Sequence, residues 1–99
     1  MPAPVAEIKH QANLADLVRR QGGLDHLEVR RHGASLVLYT RSEGVNINRA
    51  RLTAVSRTRW RLDMPLHTGR WQPTPYVGSL TEVFRMLTVD LAPWIAPLD

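Results

Sequence analysis

The sequence predicts one α+β domain: an N-terminal helix, an antiparallel meander of about five strands, and a C-terminal amphipathic helix packed on the sheet. Three observations carry that prediction. Apolar residues recur at helical spacing only near the two ends of the chain. Between the ends they alternate with polar residues at period two, in short runs separated by turn residues. No interval between those runs is long enough for a parallel crossover, so successive strands pair as hairpins. With 99 residues the chain holds one core, and the domain spans 1–99 with residues 1–6, which contain two prolines, as a flexible leader.

The first helix is read from Asn13-Leu14-Ala15-Asp16, where an N-cap candidate is followed three residues later by an acid. Leu14, Leu17 and Val18 share a face, Ile8 and Ala12 extend it backwards by a turn, and Gly22-Gly23 is the stop signal. From Leu24 the period changes to two. Leu27, Val29 and Arg31 alternate with Glu28, Arg30 and His32. His32-Gly33-Ala34-Ser35 then turns the chain into Leu36-Val37-Leu38-Tyr39-Thr40, a run apolar on both faces and so interior to the sheet. Ser42 to Asn48 is turn-rich and reads as a loop. A third strand follows over Ala50–Ser56, a turn near Arg57 and Thr58, and a fourth strand over Arg59–Met64. In that fourth strand Trp60, Leu62 and Met64 point to the core while Arg59, Arg61 and Asp63 point to water. Arg70-Trp71-Gln72 begins a short fifth strand that Pro73 and Pro75 confine to the sheet edge. Ser79-Leu80-Thr81-Glu82 is a capping box, and Leu80, Val83, Phe84, Leu87 and Leu91 behind it form one helical stripe ended by Pro93.

Composition limits the chemistry. The chain has no cysteine, which excludes disulfides, thiolate metal sites and cysteine nucleophiles. It shows neither a signal peptide nor an apolar run of membrane-spanning length, so a cytoplasmic location is expected. The formal net charge is +4, and 12 of the 13 basic residues are arginine. Together with frequent alanine and leucine, that bias is what a high-GC bacterial genome writes, and it halves the weight of the charge as a sign of nucleic-acid binding.

The hairpin Leu27 to Tyr39, then Trp60-Arg61-Leu62, then Gly69-Arg70-Trp71 resemble a family of short bacterial proteins of unknown function with the order helix, antiparallel sheet, helix. The resemblance covers about two thirds of the chain. It implies the topology and assigns no catalytic residues.

The strongest functional signal is a run of arginines. Arg49, Arg51, Arg57, Arg59, Arg61 and Arg70 stand against one acid, Asp63, between Val45 and Gly78. Arg57, Arg59 and Arg61 share a strand phase, and Arg51 joins them if the third and fourth strands pair. Guanidinium groups at that density suit phosphates or a partner's carboxylates. Against a site stands the plainer account of a solvated sheet face written in arginine. Trp71, on an edge strand, is placed to stack a base or an arginine, whereas Trp60 falls in the apolar phase and belongs to the core. Trp94, in the apolar Trp94-Ile95-Ala96-Pro97-Leu98 tail, either meets a partner or closes the core.

His10, His26, His32 and His67 have no local ligand spacing; His26 and His32 stand about 20 Å apart in an extended strand. No nucleophile elbow, phosphate loop or paired-carboxylate motif occurs, so neither cofactor nor metal is expected. The sequence thus points to a small non-enzymatic interaction or regulatory module that binds a protein partner or a second copy of itself. The alternative is sequence-tolerant nucleic-acid binding. The candidate residues are Arg51, Arg57, Arg59, Arg61, Arg70, Trp71 and Trp94.

Overall fold

The computed structural model describes residues 4–98. Part of the expected leader, residues 1–3, lies outside the described residues. Helix α1 (Ile8–Gln21) precedes five strands, β1 (Glu28–His32), β2 (Ser35–Ser42), β3 (Val45–Ala54), β4 (Trp60–Pro65) and β5 (Trp71–Gly78). Helix α2 (Leu80–Asp90) and a short 3₁₀ helix (Ala92–Ile95) follow. The strands form one antiparallel sheet in sequence order, as the hairpin reading requires.

Both helices lie on one face. Leu36 and Leu38 of β2, Ala50, Leu52 and Ala54 of β3, and Trp60, Leu62 and Met64 of β4 form the inner wall of the core. Leu14 and Val18 of α1 and Val83, Phe84 and Leu87 of α2 close it. Leu14, Leu36, Leu38, Leu52, Leu62 and Leu87 are fully buried, each worth about 1.5–3 kcal/mol of transfer free energy. Trp60 is buried as its phase demands, and the His10 ring meets it edge-on with centroids 5.0 Å apart.

Helix α1 starts a turn and a half before Asn13. Its N-cap is Glu7, whose amide donates to His10 Nδ1 at 3.0 Å, so a histidine fills the place usually held by a Glu or Gln. Ala6 is buried, and its amide donates to the Gly33 carbonyl at 3.0 Å, which ties the chain ahead of α1 to the β1–β2 turn. At the far end, Gly22 takes a φ of 77° and stops the helix where expected. In α2, Glu82 N donates to Ser79 Oγ and Ser79 N donates to Glu82 Oε1, the reciprocal cap that the sequence announces.

The sheet differs from expectation in two strands. Ser42 pairs with Val45, so the expected loop over 42–48 is a two-residue turn, and β3 begins at Val45. Glu43 and Gly44 have φ of 52° and 80°, the all-positive pattern whose twist matches antiparallel strands. Strand β5 runs eight residues, through both prolines. It remains an edge strand, so neither missing amide disrupts a ladder on its outer side. The ladder adapts by slipping register between Arg61 and Asp63, where Thr74, Pro75 and Tyr76 oppose Leu62 alone. Thr74 Oγ1 donates to the Leu62 carbonyl at 2.8 Å and so serves the group the bulge leaves over.

Candidate functional site

The helices cover one face of the sheet, and the opposite face carries the polar chemistry. Residues directly opposite one another on neighbouring strands share a face, and the register defines a row across all five strands: Arg30, Val37, Arg51, Asp63, Pro73. Beside it runs His32, Ser35, Thr53, Arg61, Val77. Asp63 sits where the two rows meet, and it is fully buried although no helix lies above it.

What buries it is a frame of side chains. Arg51 Nε donates to Asp63 Oδ2 at 2.8 Å, and Thr53 Oγ1 donates to the same oxygen at 2.6 Å. Arg61 Nε donates to Oδ1 at 2.7 Å, with a longer contact of 3.4 Å from its Nη2 to Oδ2. Thr53 Oγ1 is also 3.0 Å from Ser35 Oγ, which carries the network onto β2. The Arg51 guanidinium lies over the Trp71 ring, 4.8 Å from its centroid. At the other end, the Arg30 guanidinium stands 5.9 Å from the Tyr39 ring centroid, and its Nη2 reaches Asn48 Oδ1 at 3.3 Å. Val37 and Ser35 are also buried on this uncovered face.

The electrostatics follow from the geometry. Burial pushes the Asp63 carboxyl up, but the hydrogen bonds from Arg61, Thr53 and Arg51 outweigh it and hold the pKa below the ordinary carboxylate value. The Asp63 carboxylate in turn raises the pKa of Arg61. The two arginine side chains keep 24% and 30% of their surface in contact with solvent. The pairings use the Nε edge of Arg51 and leave its two Nη groups without a hydrogen-bond partner among the described residues.

The structure divides the sequence-derived candidates into three groups. Arg51, Arg61 and Trp71 come together around Asp63. Arg57 and Arg59 lie in the β3–β4 connection, exposed, so the strand phase expected to align them with Arg61 is lost there. Ser56 Oγ accepts from the Thr58 and Arg59 amides and sets that turn. Arg70 is exposed just ahead of β5. Trp94 is far from the others in the fold, in the 3₁₀ helix that packs on the helix side of the sheet; it is 54% exposed while its neighbour Ile95 is buried.

Two functional-looking residues escaped the sequence reading. Asp63 is expected from its strand phase to point to water as the lone acid of a basic stretch; it is instead fully buried, and Arg51 and Arg61 pair with it internally, the arrangement under which the broad arginine patch dissolves. Arg49 was one arginine of the run, yet it is buried on the helix side. Between Leu38↔Ala50 and Tyr39↔Asn48 it is the extra residue of a bulge, which turns its side chain inward. There Nη1 donates to Thr40 Oγ1 at 3.0 Å, and Nη2 donates to the carbonyls of Trp94 at 2.9 Å and Ala96 at 2.7 Å. His26 Nε2 lies 2.7 Å from the Ile95 carbonyl. Burial lowers the Arg49 pKa.

Among the described residues no three His, Asp or Glu side chains converge to hold a metal ion, and no helix is long and apolar enough to cross a membrane. A depression of about 550 Å³, open to solvent, runs along α2 between Ser79 and Asp90, where Glu82 is engaged in the helix cap. Comparison with known proteins finds no matching family model, curated protein or solved structure. The fold and its face therefore define the class on their own: an α+β meander with one helix-covered face and one uncovered face finished by arginine, aromatic and carboxylate side chains.

Proposed function

We propose that the chain is a non-enzymatic protein-interaction module that docks its partner on the uncovered face of the sheet. The observation that carries this reading is the ordered frame of Arg51, Arg61 and Trp71 around a carboxylate with no exposed surface. Arginine and tryptophan dominate the binding energy of protein interfaces. Here their side chains are already held by hydrogen bonds and stacking, so little rotamer freedom remains to be lost on binding.

Charge favours a protein over a nucleic acid. On this face Arg30, Arg41, Arg51 and Arg61 are offset in part by Glu28 and Asp63, and non-specific nucleic-acid affinity scales with the number of phosphates neutralised. Arg57, Arg59 and Arg70, the remaining arginines of the basic run outside the core, stand in the connections between strands and not in the two rows.

Site-specific photocrosslinking in the native host tests the reading, with a benzophenone amino acid at Tyr39 or Val77 on the open face and at Thr81 on α2. The expected result is a protein adduct of the same discrete size from Tyr39 and Val77 and none from Thr81. An adduct of twice the chain mass identifies a second copy as the partner. Adducts that nuclease removes, or adducts from Thr81 alone, refute the proposal, as does the absence of any adduct.

A further inference from the structure

We infer that the Arg51–Asp63–Arg61 cluster is a carboxylate seat, and that the partner it receives is a protein segment rich in Asp or Glu. The inference rests on the docking role proposed for the uncovered face and names the chemistry of what docks there.

The cluster holds two guanidinium groups and one carboxylate, so it carries one uncompensated positive charge. That charge is fixed in place. Asp63 accepts Arg51 through Nε, which leaves the Nη1 and Nη2 pair of Arg51 as a free fork, the arrangement that matches a carboxylate in two parallel hydrogen bonds. With its centroid 4.8 Å from the Arg51 guanidinium, the Trp71 ring adds a cation–π contact that helps to hold that group in place. Arg61 spends Nε and Nη2 on Asp63 and keeps Nη1 without a partner among the described residues. The two side chains keep 24% and 30% of their surface open to solvent. An incoming carboxylate therefore meets oriented donors and does not have to strip a buried group of its own partner.

The surroundings select an acidic peptide over a polyanionic backbone. Val37, Pro73 and Val77 flank the cluster in the same two rows, and Glu28 lies at the β1 end of this face opposite Tyr39. A short segment with one or two carboxylates among apolar residues complements that mixture. A continuous phosphate chain meets positive charge interrupted by Glu28, Asp63 and apolar side chains.

Fluorescence anisotropy at low salt provides the test, with a fluorescein-labelled oligoglutamate peptide as the probe. Oligoglutamine and single-stranded oligothymidylate serve as comparators. The expected result is saturable binding of oligoglutamate, no binding of oligoglutamine, and weaker binding of oligothymidylate. Arg51→Gln weakens oligoglutamate binding roughly tenfold or more, the loss of a charge-assisted hydrogen bond. Asp63→Asn is the decisive variant. It raises the positive charge of the face yet breaks the tie to at least one of the two arginines, so an oriented seat binds more weakly while a diffuse basic patch binds more tightly. Arg57→Gln with Arg59→Gln removes twice the charge from the β3–β4 connection and leaves affinity within about twofold, since exposed charges off the site contribute little. Circular dichroism confirms that each variant is folded. Where Arg51→Gln is not, Arg51→Lys, which keeps the charge and loses the fork, takes its place with the same expected weakening.

Absent oligoglutamate binding, tighter binding by Asp63→Asn, equal loss in the Arg57 and Arg59 double variant, or stronger binding of oligothymidylate each overturns the seat. If oligoglutamate does not bind while the Tyr39 and Val77 crosslinks form, the seat fails and the docking face stands. If neither occurs, both fail.

Discussion

Replacing Asp63 by Asn measures how much of the sheet depends on one buried carboxylate. Asparagine has the same shape and keeps one acceptor, but it places an NH2 group where an oxygen received hydrogen bonds. In one orientation that group faces Arg61 Nε, now 2.7 Å from Oδ1. In the other it faces both Arg51 Nε and Thr53 Oγ1, now 2.8 and 2.6 Å from Oδ2. Either way at least one charge-assisted bond, worth about 1.5–3 kcal/mol, becomes a clash of donors. The full cost of a stranded buried charge, about 3–5 kcal/mol, does not apply, because the freed guanidiniums are at the surface and swing into water. The expected loss is about 2–3 kcal/mol, which in a domain of this size lowers Tm by about 10–20 °C. Thr53→Val, which deletes a neutral donor, costs about 1 kcal/mol and ranks below it.

The pH dependence of the same pair is a second arm. The native state holds the Asp63 pKa below its unfolded value, so as pH falls the unfolded chain takes up that proton first. The stabilisation is complete above the unfolded carboxyl pKa, about 4, and is lost as pH drops through the lower native value. The stability gap between wild type and Asp63→Asn is thus constant near neutrality and closes below about pH 4. Urea unfolding followed by circular dichroism, repeated from neutral to acidic pH, reads both arms. A variant within about 0.5 kcal/mol of wild type at neutral pH, or a gap that does not narrow in acid, refutes the assignment of Asp63 as the tie of the outer face.

Two further expectations concern other parts of the chain. Glu43→Asn places the residue preferred for a left-handed turn position at φ 52° and stabilises the domain by about 0.5 kcal/mol in urea unfolding; a loss of stability would show the turn to be held by something else. Arg49→Met keeps the apolar stem and deletes the donors to the Trp94 and Ala96 carbonyls. Amide exchange at Trp94 and Ala96 should then quicken by roughly tenfold with α1 protection unchanged, and unaltered exchange would mean that Ile95 burial alone holds the tail.

Period and phase were legible in the sequence, and register was not. The alternation Trp60, Leu62, Met64 against Arg61 and Asp63 placed every one of those side chains on its correct face, since a strand has only two. That Asp63 meets Arg51 depends on the β3–β4 connection, whose length the sequence left open at both ends. The start of β3 was hidden because Glu43-Gly44 lacks the asparagine or aspartate that marks a two-residue hairpin, and Asn46 and Asn48 are poor strand formers. Strand β5 was cut short at Pro73 for a sound reason that the edge position and the Thr74 hydroxyl circumvent. Arg49 defeats pattern reading altogether, because a bulge reverses the side to which it points. The arginine cluster shrank accordingly: a run contiguous in sequence became a pair, Arg51 and Arg61, around an acid.

An apolar residue at position 63 would solve the packing problem more simply, since a buried ion pair seldom outperforms a well-packed hydrophobic one. On this face it would also create a hazard. Pro73 and Val77 already lie in the rows that hold Asp63 and Arg61, and one more apolar side chain between them would enlarge the apolar surface of the kind that drives aggregation. The ionic cluster orders the centre of the face without making it sticky. It also ties Arg51 beside Trp71 in the absence of a partner, which an apolar centre would not do. Stability alone therefore does not account for Asp63. Preorganisation of an exposed surface does, and it is the requirement an interface imposes.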